Sequence, residues 1–584
     1  METGISMKYS ELVNFFEIIE ATSSRLLMTS QLVDLFKVAP EDVIDKVVYL
    51  TEGKLYPPFV GIELGMAEKS AIKALSMCTG ISQDKVENEY KKRGDIGILA
   101  ENLIKKKVQA TLFNRVLTIE DVYEDLDKIA RTSGSGSADA KLRILSGLLS
   151  DASPKEAKYI MRIVTGKMRL GVADNTMIVA LSQAFAHGQK ESVEAMYNVT
   201  SDIGEVAREL KKNGVAGIKT SASVGRPIRM MLAQRLSSAQ EIVSQMGIVA
   251  CEFKYDGMRI QIHKDGNSIS LFTRNLEHIT DQYPDVVKYA LQNIKVKNAI
   301  VEGECVTVDP AGYILPFQEL MHRRRKYEIE EKVIEFPVNM YIFDALLIDN
   351  KDIMSKSLME RRNTLKNSII ETDNFRLSHA LVSGNVLEIE KFFESAIESG
   401  CEGLMCKDLN STYQAGSRGM SWVKLKRSYQ SKMIEPIDVV IVGAFLGKGR
   451  RSGTYGALLV AVYDHEKDVF PTICKVGSGF TDEDLNNLPG VLDKYRLERK
   501  SVRVESIMNA DVWFEPQLVM EIIGDELTLS PTHPCAMGSI RESAGIAMRF
   551  PRFLHKWRPD KGPENATTVS EIVDIYKSQL KKLE

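Results

Sequence analysis

The sequence predicts a multidomain protein of the α+β class, with an all-helical N-terminal region, a mixed α/β middle and a C-terminal β-barrel. Its 584 residues correspond to roughly three to four domains of ordinary size. Apolar residues recur at helical spacing up to about residue 225, strand patterns appear from about 240, and they dominate beyond about 436. A hydrophobic content of 44% and a charged content of 27% are typical of globular chains and argue against disorder or membrane residence.

The N-terminal region carries the apolar stripes of amphipathic helices. One stripe has i, i+3, i+4, i+7 spacing and consists of Leu12, Phe15, Phe16 and Ile19. Residues 176–186 form a second striped helix. The run TSGSGS at 132–137 predicts a loop rather than a domain boundary, because the helical pattern resumes after it. The pattern alone also suits a helical scaffold without a function of its own.

Basic residues are clustered although the net charge is only -3. Four segments carry several lysines or arginines and no acidic residue: 210–235, 322–326, 418–432 and 448–451. A single cluster of this kind is usually a solvated surface. Four of them predict a surface that follows a nucleic-acid backbone on an otherwise neutral protein.

The stretch IVACEFKYDGMRIQIH at 248–263 concentrates candidate catalytic residues. A strand over 249–253 places Glu252 and Lys254 on one face, and residues 258–263 alternate as a half-buried strand should. Most lysines are solvated surface residues. Here Arg259 and Arg274 could lower the pKa of the lysine and make its amine a nucleophile. Because a guanidinium matches phosphate oxygens, these arginines favour attack on phosphorus.

Further predicted strands in the middle region carry buried carboxylates. Residues 298–308 contain Glu302 and Glu304, and residues 338–348 contain Phe343 and Asp344. Two later segments complete the region, at 401–407 and 413–426. A buried glutamate is usually explained by a satisfied hydrogen bond. For Glu304 and Glu402 beside a nucleophilic lysine, coordination of Mg²⁺ is the alternative.

The C-terminal region is rich in short predicted strands, at 438–445, 456–463, 472–476, 502–506 and 517–523. A helix candidate lies at 481–487 and a closing helix at 567–580. A small, basic barrel of about five strands predicts an OB-fold. The glycine-rich run at 443–449 lacks one spacer residue and the Ser/Thr of a phosphate-binding P-loop, so it is not counted as one.

Cysteine usage and the N-terminus predict an intracellular protein. The seven cysteines include no CxxC pair, so we expect them to be reduced and mostly buried, with no zinc site. The N-terminal residues lack the basic and apolar regions of a secretory signal. The longest apolar run, near 439–446, is too short to span a bilayer.

Seven short motifs follow one another along the chain: KYDGMR (254–259), TRN (273–275), EGE (302–304), YIFDAL (341–346), EGLMCK (402–407), WVKLK (422–426) and RPDK (558–561). In order and spacing they resemble the motif series of the covalent nucleotidyltransferases. The whole chain resembles the ATP-dependent DNA ligases of archaeal type, since residues 167–177 and 225–235 are similar to that family's N-terminal DNA-binding domain. The resemblance implies a helical DNA-binding domain at 1–225, an adenylyltransferase domain at 226–432 and an OB-fold domain with a C-terminal helix at 433–584.

The resemblance also implies a three-step reaction that seals nicks in duplex DNA. Lys254 would attack the α-phosphorus of ATP and carry AMP, which then moves to the 5′-phosphate before the 3′-hydroxyl displaces it. Glu252 would hold the adenine or its ribose, and Phe343 would stack on the base. The remaining nucleotide and phosphate ligands would be Arg259, Arg274, Glu304, Arg418, Lys424 and Lys426.

Three further roles are implied by the family. Glu304 and Glu402 would hold Mg²⁺. Glu302 departs from the family, which often has Asp at that position, so the metal role is assigned to Glu304 rather than to Glu302. Residues of the RPDK motif would orient the pyrophosphate leaving group: Arg558, Asp560 and Lys561. A hinge is expected at 428–436.

Partners and alternatives follow from the same resemblance. We expect nicked double-stranded DNA as the substrate, a monomer, and a cytoplasmic, nucleoid-associated enzyme of replication, recombination and repair. A shortened sliding-clamp motif is a further candidate, formed by Gln109, Leu112 and Phe113. The alternatives are an RNA-joining or RNA-capping nucleotidyltransferase, for which the helical region has no explanation, and a non-catalytic nick-binding protein. An NAD-dependent ligase is disfavoured because no four-cysteine zinc module is visible.

Overall fold

The computed structural model describes residues 6–22, 24–64, 66–93, 95–106, 115–236, 238–309, 312–315, 317–323, 329–426, 436–447 and 454–581. The chain separates into two compact units. The first comprises Met1–Arg235, Val243–Ile389 and Met405–Lys424, and the second comprises Leu236–Ile242, Glu390–Leu404 and Leu425–Glu584. The predicted clamp motif at 109–113 and nearly all of the predicted hinge lie outside the described residues. The three-domain division stays a prediction.

The N-terminal region is helical, as predicted. Its helices are α1 (Tyr9–Glu20), α2 (Arg25–Val38), α3 (Ile44–Glu52), α4 (Glu68–Thr79), α5 (Gln83–Arg93), α6 (Ile96–Lys105), α7 (Ile119–Arg131), α8 (Ser137–Asp151), α9 (Pro154–Val164), α10 (Asp174–Phe185), α11 (Lys190–Thr200) and α12 (Ile203–Asn213). Local sequence sets their starts: α9 begins with a Ser153–Glu156 capping box and Pro154 in its first turn. The predicted stripe of α1 packs into one continuous core that runs from Met7 to Leu210.

The middle region contains two sheets. Its elements are β1 (Leu232–Arg235), α13 (Ala239–Met246), β2 (Val249–Lys254), β3 (Met258–Asp265), β4 (Ser268–Thr273), α14 (Pro284–Asn293), β5 (Asn298–Thr307), α15 (Phe317–Met321), α16 (Ile329–Glu335), β6 (Val338–Ile348), β7 (Lys351–Asp352), α17 (Leu358–Ser368), β8 (Phe375–Leu377), β9 (Ala380–Ser383), α18 (Val386–Glu398), β10 (Gly403–Asp408) and β11 (Arg418–Lys426). The first sheet has the order β1-β11-β10-β2-β9. The second has the order β4-β3-β5-β6-β7, with β8 beside β6.

The C-terminal region is strand-rich and of barrel type, as predicted. Its elements are β12 (Ile437–Leu446), β13 (Tyr455–Ala461), β14 (Phe470–Val476), α19 (Asp482–Leu492), β15 (Arg496–Leu497), β16 (Val504–Glu505), β17 (Val512–Phe514), β18 (Val519–Ile523), β19 (Glu526–Ser530), β20 (Gly545–Arg549), β21 (Arg552–Trp557) and α20 (Val569–Lys581). The long strand β12 pairs with β13, β17 and β18, so one strand contributes to both sides of a curved sheet. None of the described helices is long and apolar enough to cross a membrane.

Two expectations about cysteines and basic clusters are wrong in part. Cys251 and Cys406 form a disulfide rather than two thiols, because β2 and β10 are neighbours and bring their Cα atoms to 4.0 Å. The other five cysteines are free and buried, as expected. Arg323, from the predicted basic surface at 322–326, is buried instead, where its guanidinium donates to Asp285 at 2.7 and 2.8 Å.

The basic segment at 210–235 is also partly engaged within the protein. The Lys211 ammonium donates to the carbonyl oxygens of Phe36 and Lys37, at 3.1 and 3.0 Å. The guanidinium of Arg229 donates to Asp174 at 2.6 Å. Since these charges already have protein partners, the count of basic residues in the sequence overstates the number available to a nucleic-acid backbone.

Candidate active site

The nucleophile candidate lies at the end of the strand that the sequence predicts. Glu252 and Lys254 are two residues apart on β2 and therefore point to one face of the sheet, with Lys254 only partly exposed. Glu252 is 2% exposed. Its carboxylate accepts a hydrogen bond from the Lys407 ammonium at 2.7 Å and one from the guanidinium of Arg362. Two cations thus hold Glu252 beside the lysine.

Arg259, on β3, is fixed by a carboxylate on β5, the neighbouring strand of the same sheet. Its guanidinium donates to Glu302 at 2.6 Å and to the carbonyl oxygen of Met231 at 2.7 Å. Burial opposes its charge, but Glu302, Tyr413 and Glu304 together outweigh burial and raise the pKa of Arg259 above its ordinary value. Glu302 is fully buried and also accepts from Gln261 and from the Tyr413 hydroxyl, each at 3.0 Å. Glu302 therefore serves as the anchor of Arg259.

Aromatic rings close the space between the two sheets. The Lys407 ammonium lies 4.6 Å from the ring centroid of Phe343 and 4.3 Å from that of Trp422. The Arg259 guanidinium lies 5.3 Å from the same two centroids. The rings meet edge to face at 6.2 Å. Glu252, Arg259 and Phe343, each predicted from sequence, are therefore linked through Lys407 and Trp422 in one pocket of cations and rings between β2, β3, β6 and β11. Lys254 lies on the same face of β2 as Glu252.

Burial of Lys407 has an electrostatic consequence for this pocket. Burial lowers the pKa of the Lys407 ammonium from its ordinary value, and Glu252 counteracts that shift. The resulting ion pair is only 1% exposed on the lysine side. Glu252 therefore fixes the position of the Lys407 side chain within the pocket.

Other predicted ligands lie at strand ends. Arg274, directly after β4, and Arg418, the first residue of β11, are exposed, so both are accessible to a large substrate. Lys424 shares a face of β11 with Trp422 and is half-buried. Glu304 lies opposite Arg259 in the β3–β5 register and is half-buried.

The donor set fits a magnesium ion that binds mainly through its substrate. Within the described residues, no group of three or more histidine, cysteine, aspartate or glutamate side chains is arranged to hold a metal. Mg²⁺ commonly uses one or two protein carboxylates, and phosphate oxygens and water complete its six ligands. Glu304 fits that requirement. One carboxylate oxygen of Glu402 forms an ion pair with the Lys426 ammonium at 2.7 Å. The other oxygen of the same carboxylate can still serve as a metal ligand.

The C-terminal motif residues form a separate cluster within the second unit. The ammonium of Lys561 donates to Asp438 at 2.6 Å, and the guanidinium of Arg558 donates to both oxygens of Asp438 at 3.1 Å. Arg558 also donates to Asp560 at 2.8 Å. Asp438, on β12, therefore positions both cations of the motif.

Four residues of the pocket have no sequence-based prediction: Gln261, Arg362, Lys407 and Tyr413. The strand pattern offered a signal for two of them: Gln261 shares the Arg259 face of β3, and Lys407 is a lysine at a buried position of β10. Arg362 and Tyr413 lie far along the chain from their partners. Only the folded structure brings them to Glu252 and Glu302.

His263 gives a prediction about stability and pH. It is fully buried, and burial lowers its pKa from 6.5 to about 3. As the pH falls below about 6.5, the unfolded chain binds a proton that the folded chain rejects, so stability is lost between about pH 6.5 and pH 3. Between pH 7 and pH 4.5 the parent protein should therefore lose about 3 kcal/mol more of its free energy of unfolding than His263→Gln does. Urea unfolding of both proteins at the two pH values measures this difference, and an equal pH dependence would contradict the prediction.

Three comparisons extend these observations. Residues 8–182 match the family described as DNA ligase N terminus, residues 230–426 match the ATP dependent DNA ligase domain, and residues 451–561 match the ATP dependent DNA ligase C terminal region. The chain belongs to the ATP-dependent DNA ligase family. This confirms the resemblance that the motif series predicts, and the pocket described above is the candidate active site of a ligase.

Similar proteins cover nearly the whole ligase chain. A protein named DNA ligase 2 from Korarchaeum cryptofilum is 49% identical over 99% of this chain and 98% of its own length. A DNA ligase from Staphylothermus marinus is 50% identical over 99% of this chain and 100% of its own. A solved structure titled Pmar-Lig_PreS3 covers 94% of this chain and 99% of its own with a TM-score of 0.56 at 17% identity, which supports the fold.

Proposed function

We propose that this ATP-dependent DNA ligase seals nicks in duplex DNA through AMP carried on Lys254. One observation supports the proposal above the others: Lys254 shares a face of β2 with Glu252, which two cations hold and which Lys407 links to the pocket of Arg259. An amine in such surroundings is a nucleophile, and the cations attract the phosphates of its target.

In the first step, the Nζ atom of Lys254 attacks the α-phosphorus of ATP. A nitrogen–phosphorus bond forms, the bond to the pyrophosphate oxygen breaks, and the amine gives up a proton. Arg259 binds the ribose or a phosphate oxygen, and Phe343 stacks on the adenine. Glu252 orients the nucleoside, since its position is fixed by Arg362 and Lys407.

In the second and third steps, AMP moves from Lys254 to the 5′-phosphate of the nick, and the 3′-hydroxyl then displaces it. Arg274 and Arg418 are exposed and bind phosphates of the DNA. Lys424 and Lys426 offset the charge that builds up at phosphorus. Glu304 and Glu402 are the residues that would hold Mg²⁺, which would neutralise further phosphate charge.

The proposed steps are tested by following two labels. ATP labelled at the α-phosphate should transfer its label to the protein at Lys254, located by peptide mapping, whereas label at the γ-phosphate should leave as pyrophosphate. Added nicked duplex DNA should then remove the label and become sealed. A duplex with an RNA strand at the nick tests the RNA-joining alternative. Absence of protein-bound α-label would contradict the proposal, and label on the protein without joining would favour a capping-type enzyme.

The RPDK motif gives a step-specific prediction. If Arg558 and Lys561 orient the pyrophosphate, then Lys561→Ala should slow labelling of Lys254 by about 10- to 100-fold. Joining of nicked DNA that already carries AMP should stay within about threefold, because no pyrophosphate leaves in those steps. Arg503→Ala is the matched control, since Arg503 is also a cation of the C-terminal region and contacts Asp468 and Glu564. Equal losses in both assays would contradict the assignment.

The biological setting is inferred from the same reaction. A nick-sealing enzyme serves replication, recombination and repair, so we place it with the DNA of the cell, acting as a monomer. The sliding-clamp motif at 109–113 stays a proposal. Replacing Leu112 and Phe113 with alanine should abolish any stimulation of joining by a clamp, and unchanged stimulation would exclude the motif.

A further inference from the structure

Residues 225–231 link the helical region to β1, and we call them the connector. Several of its backbone groups bond to side chains of the middle region. The amide of Gly225 donates to His263 Nδ1 at 3.0 Å. Ile228 makes two bonds with the side-chain amide of Gln261: its N–H donates to Oε1 at 2.7 Å, and its carbonyl oxygen accepts from Nε2 at 3.1 Å. The connector is thus held by buried side chains rather than by a sheet.

The end of the connector bonds directly to the candidate active site. The amide of Met231 donates to the hydroxyl oxygen of Tyr413 at 2.9 Å, and its carbonyl oxygen accepts from Arg259 at 2.7 Å. Tyr413 in turn donates to Glu302 at 3.0 Å. Burial and the nearby carboxylate of Glu302 raise the pKa of Tyr413 well above 10, so the hydroxyl keeps its proton and remains a donor.

The direction of each hydrogen bond in this network is determined. His263 Nδ1 accepts from an N–H, so its Nε2 carries the hydrogen and donates to Gln261 Oε1 at 2.8 Å. Gln261 Nε2 is then free to donate to Glu302 at 3.0 Å. Since Gln261 and Glu302 are both fully buried, each lost bond would leave a polar atom without water. Such a network has one stable arrangement.

We propose that Tyr413 and Gln261 are positioning residues for the nucleotide: through Glu302 and the connector, they fix the orientation of the Arg259 guanidinium. The proposal rests on the proposed function, in which Arg259 binds ATP. Arg259 donates to Glu302 and to the Met231 carbonyl oxygen, and its Nη2 also donates to the Tyr413 hydroxyl oxygen at 3.3 Å. Tyr413 contacts both Glu302 and Met231, and Gln261 contacts Glu302 and the connector. A change in either residue therefore alters the angle at which Arg259 faces the nucleotide.

The connector is also tied to the helical region. The Arg229 guanidinium donates to Asp174 at 2.6 Å and to the hydroxyl of Tyr197 at 2.5 Å, and it lies 4.2 Å from the centroid of the Tyr197 ring. Its amide donates to the carbonyl oxygen of Asn198 at 2.8 Å. The connector is therefore hydrogen-bonded both to the helical region and to the candidate active site. Arg259 lies in the candidate active site, whereas Arg229 contacts Asp174 and Tyr197 of the helical region.

The test separates positioning from folding by measuring Lys254 labelling in single turnovers at varied ATP concentration. Tyr413→Phe removes one oxygen atom and keeps the ring against Trp422. We expect the ATP concentration for half-maximal rate to rise about tenfold, with the maximal rate within about threefold of the parent. Tyr9→Phe is the matched control, because the fully buried Tyr9 hydroxyl has no hydrogen-bond partner among the described residues. It should change neither value.

A second variant, Gln261→Met, keeps the side-chain length and removes both polar atoms. It should raise the half-maximal ATP concentration in the same direction. A purely structural role would lower the fraction of protein that can be labelled and leave the half-maximal concentration unchanged, and that result in both variants would overturn the proposal. Failure of the parent to label Lys254 would instead contradict the proposed function. The two failures are therefore distinguishable.

Discussion

Arginine in place of Lys254 is expected to abolish labelling of the protein by ATP and the joining of nicked DNA. The substitution keeps the positive charge at the end of β2, but a guanidinium stays protonated and has no free electron pair with which to attack phosphorus. We expect labelling to fall by at least about 10³-fold, which corresponds to about 4 kcal/mol of activation free energy. Gel-based labelling with α-labelled ATP measures it.

A control variant and a substrate that already carries AMP test whether the loss is specific to the role of Lys254. Lys288→Arg makes the same exchange at an exposed position on α14 and should leave labelling unchanged. Nicked DNA that already carries AMP does not need the lysine as a carrier, so Lys254→Arg should join it far better than it joins nicked DNA with ATP. Substantial labelling of Lys254→Arg would show that a residue other than Lys254 is the nucleophile.

The sequence predicts the strand that carries the nucleophile because its residue types are those of a buried strand. The expected strand at 249–253 corresponds to β2, and the expected strand at 338–348 has the bounds of β6. Both strands are buried on both faces over most of their length, so composition and length indicate them rather than a period of two. Within the segment at 413–426 the strand begins only at Arg418, because Gly416 turns the chain with a φ of 68°.

Most of the short strands of the C-terminal region could not be predicted from the residue pattern. The predicted strand at 502–506 shrinks to the two residues Val504–Glu505, and β15, β17, β19, β20 and β21 have no sequence-based prediction. Strands of two to six residues contain too few alternations to define a face. Pairing supplies the hydrogen bonds that local propensity does not predict: β17 pairs with β12, β21 with β18, β15 with β17, and β19 with β20.

Pairings across long stretches of chain explain the remaining differences. Cys251 and Cys406 are 155 residues apart and become neighbours only because β2 and β10 are adjacent. Arg323 was counted as part of a basic surface, but Asp285 and the ring of Tyr283 give it a buried site. A run of like charges predicts a shared surface only when every member is solvated, and one buried partner is enough to remove a member from it.

Asparagine in place of Asp344 is expected to cause the largest loss of stability. Asp344 and Arg361 are both 0% exposed, and the guanidinium donates to the two carboxylate oxygens at 2.8 and 3.0 Å. Arg361 also donates to the carbonyl oxygens of Lys356 and Ser411 at 2.7 and 3.0 Å. Removing the carboxylate charge leaves a buried guanidinium without a counter-ion, which costs about 3–5 kcal/mol. Urea unfolding, followed by the loss of labelling capacity, measures the difference.

The pair also connects the stability of the fold to the candidate active site. Arg361 holds α17 against β6, and the next residue of α17, Arg362, donates to Glu252 beside Lys254. Loosening α17 should therefore lower the labelling rate together with the free energy of unfolding. Asp373→Asn breaks an exposed pair with Arg376 and should cost less than about 0.5 kcal/mol, because solvent screens such pairs. The double change Asp344→Asn with Arg361→Met should recover part of the loss, since it removes the uncompensated charge. A cost for Asp344→Asn as small as that of Asp373→Asn would show that water reaches the guanidinium.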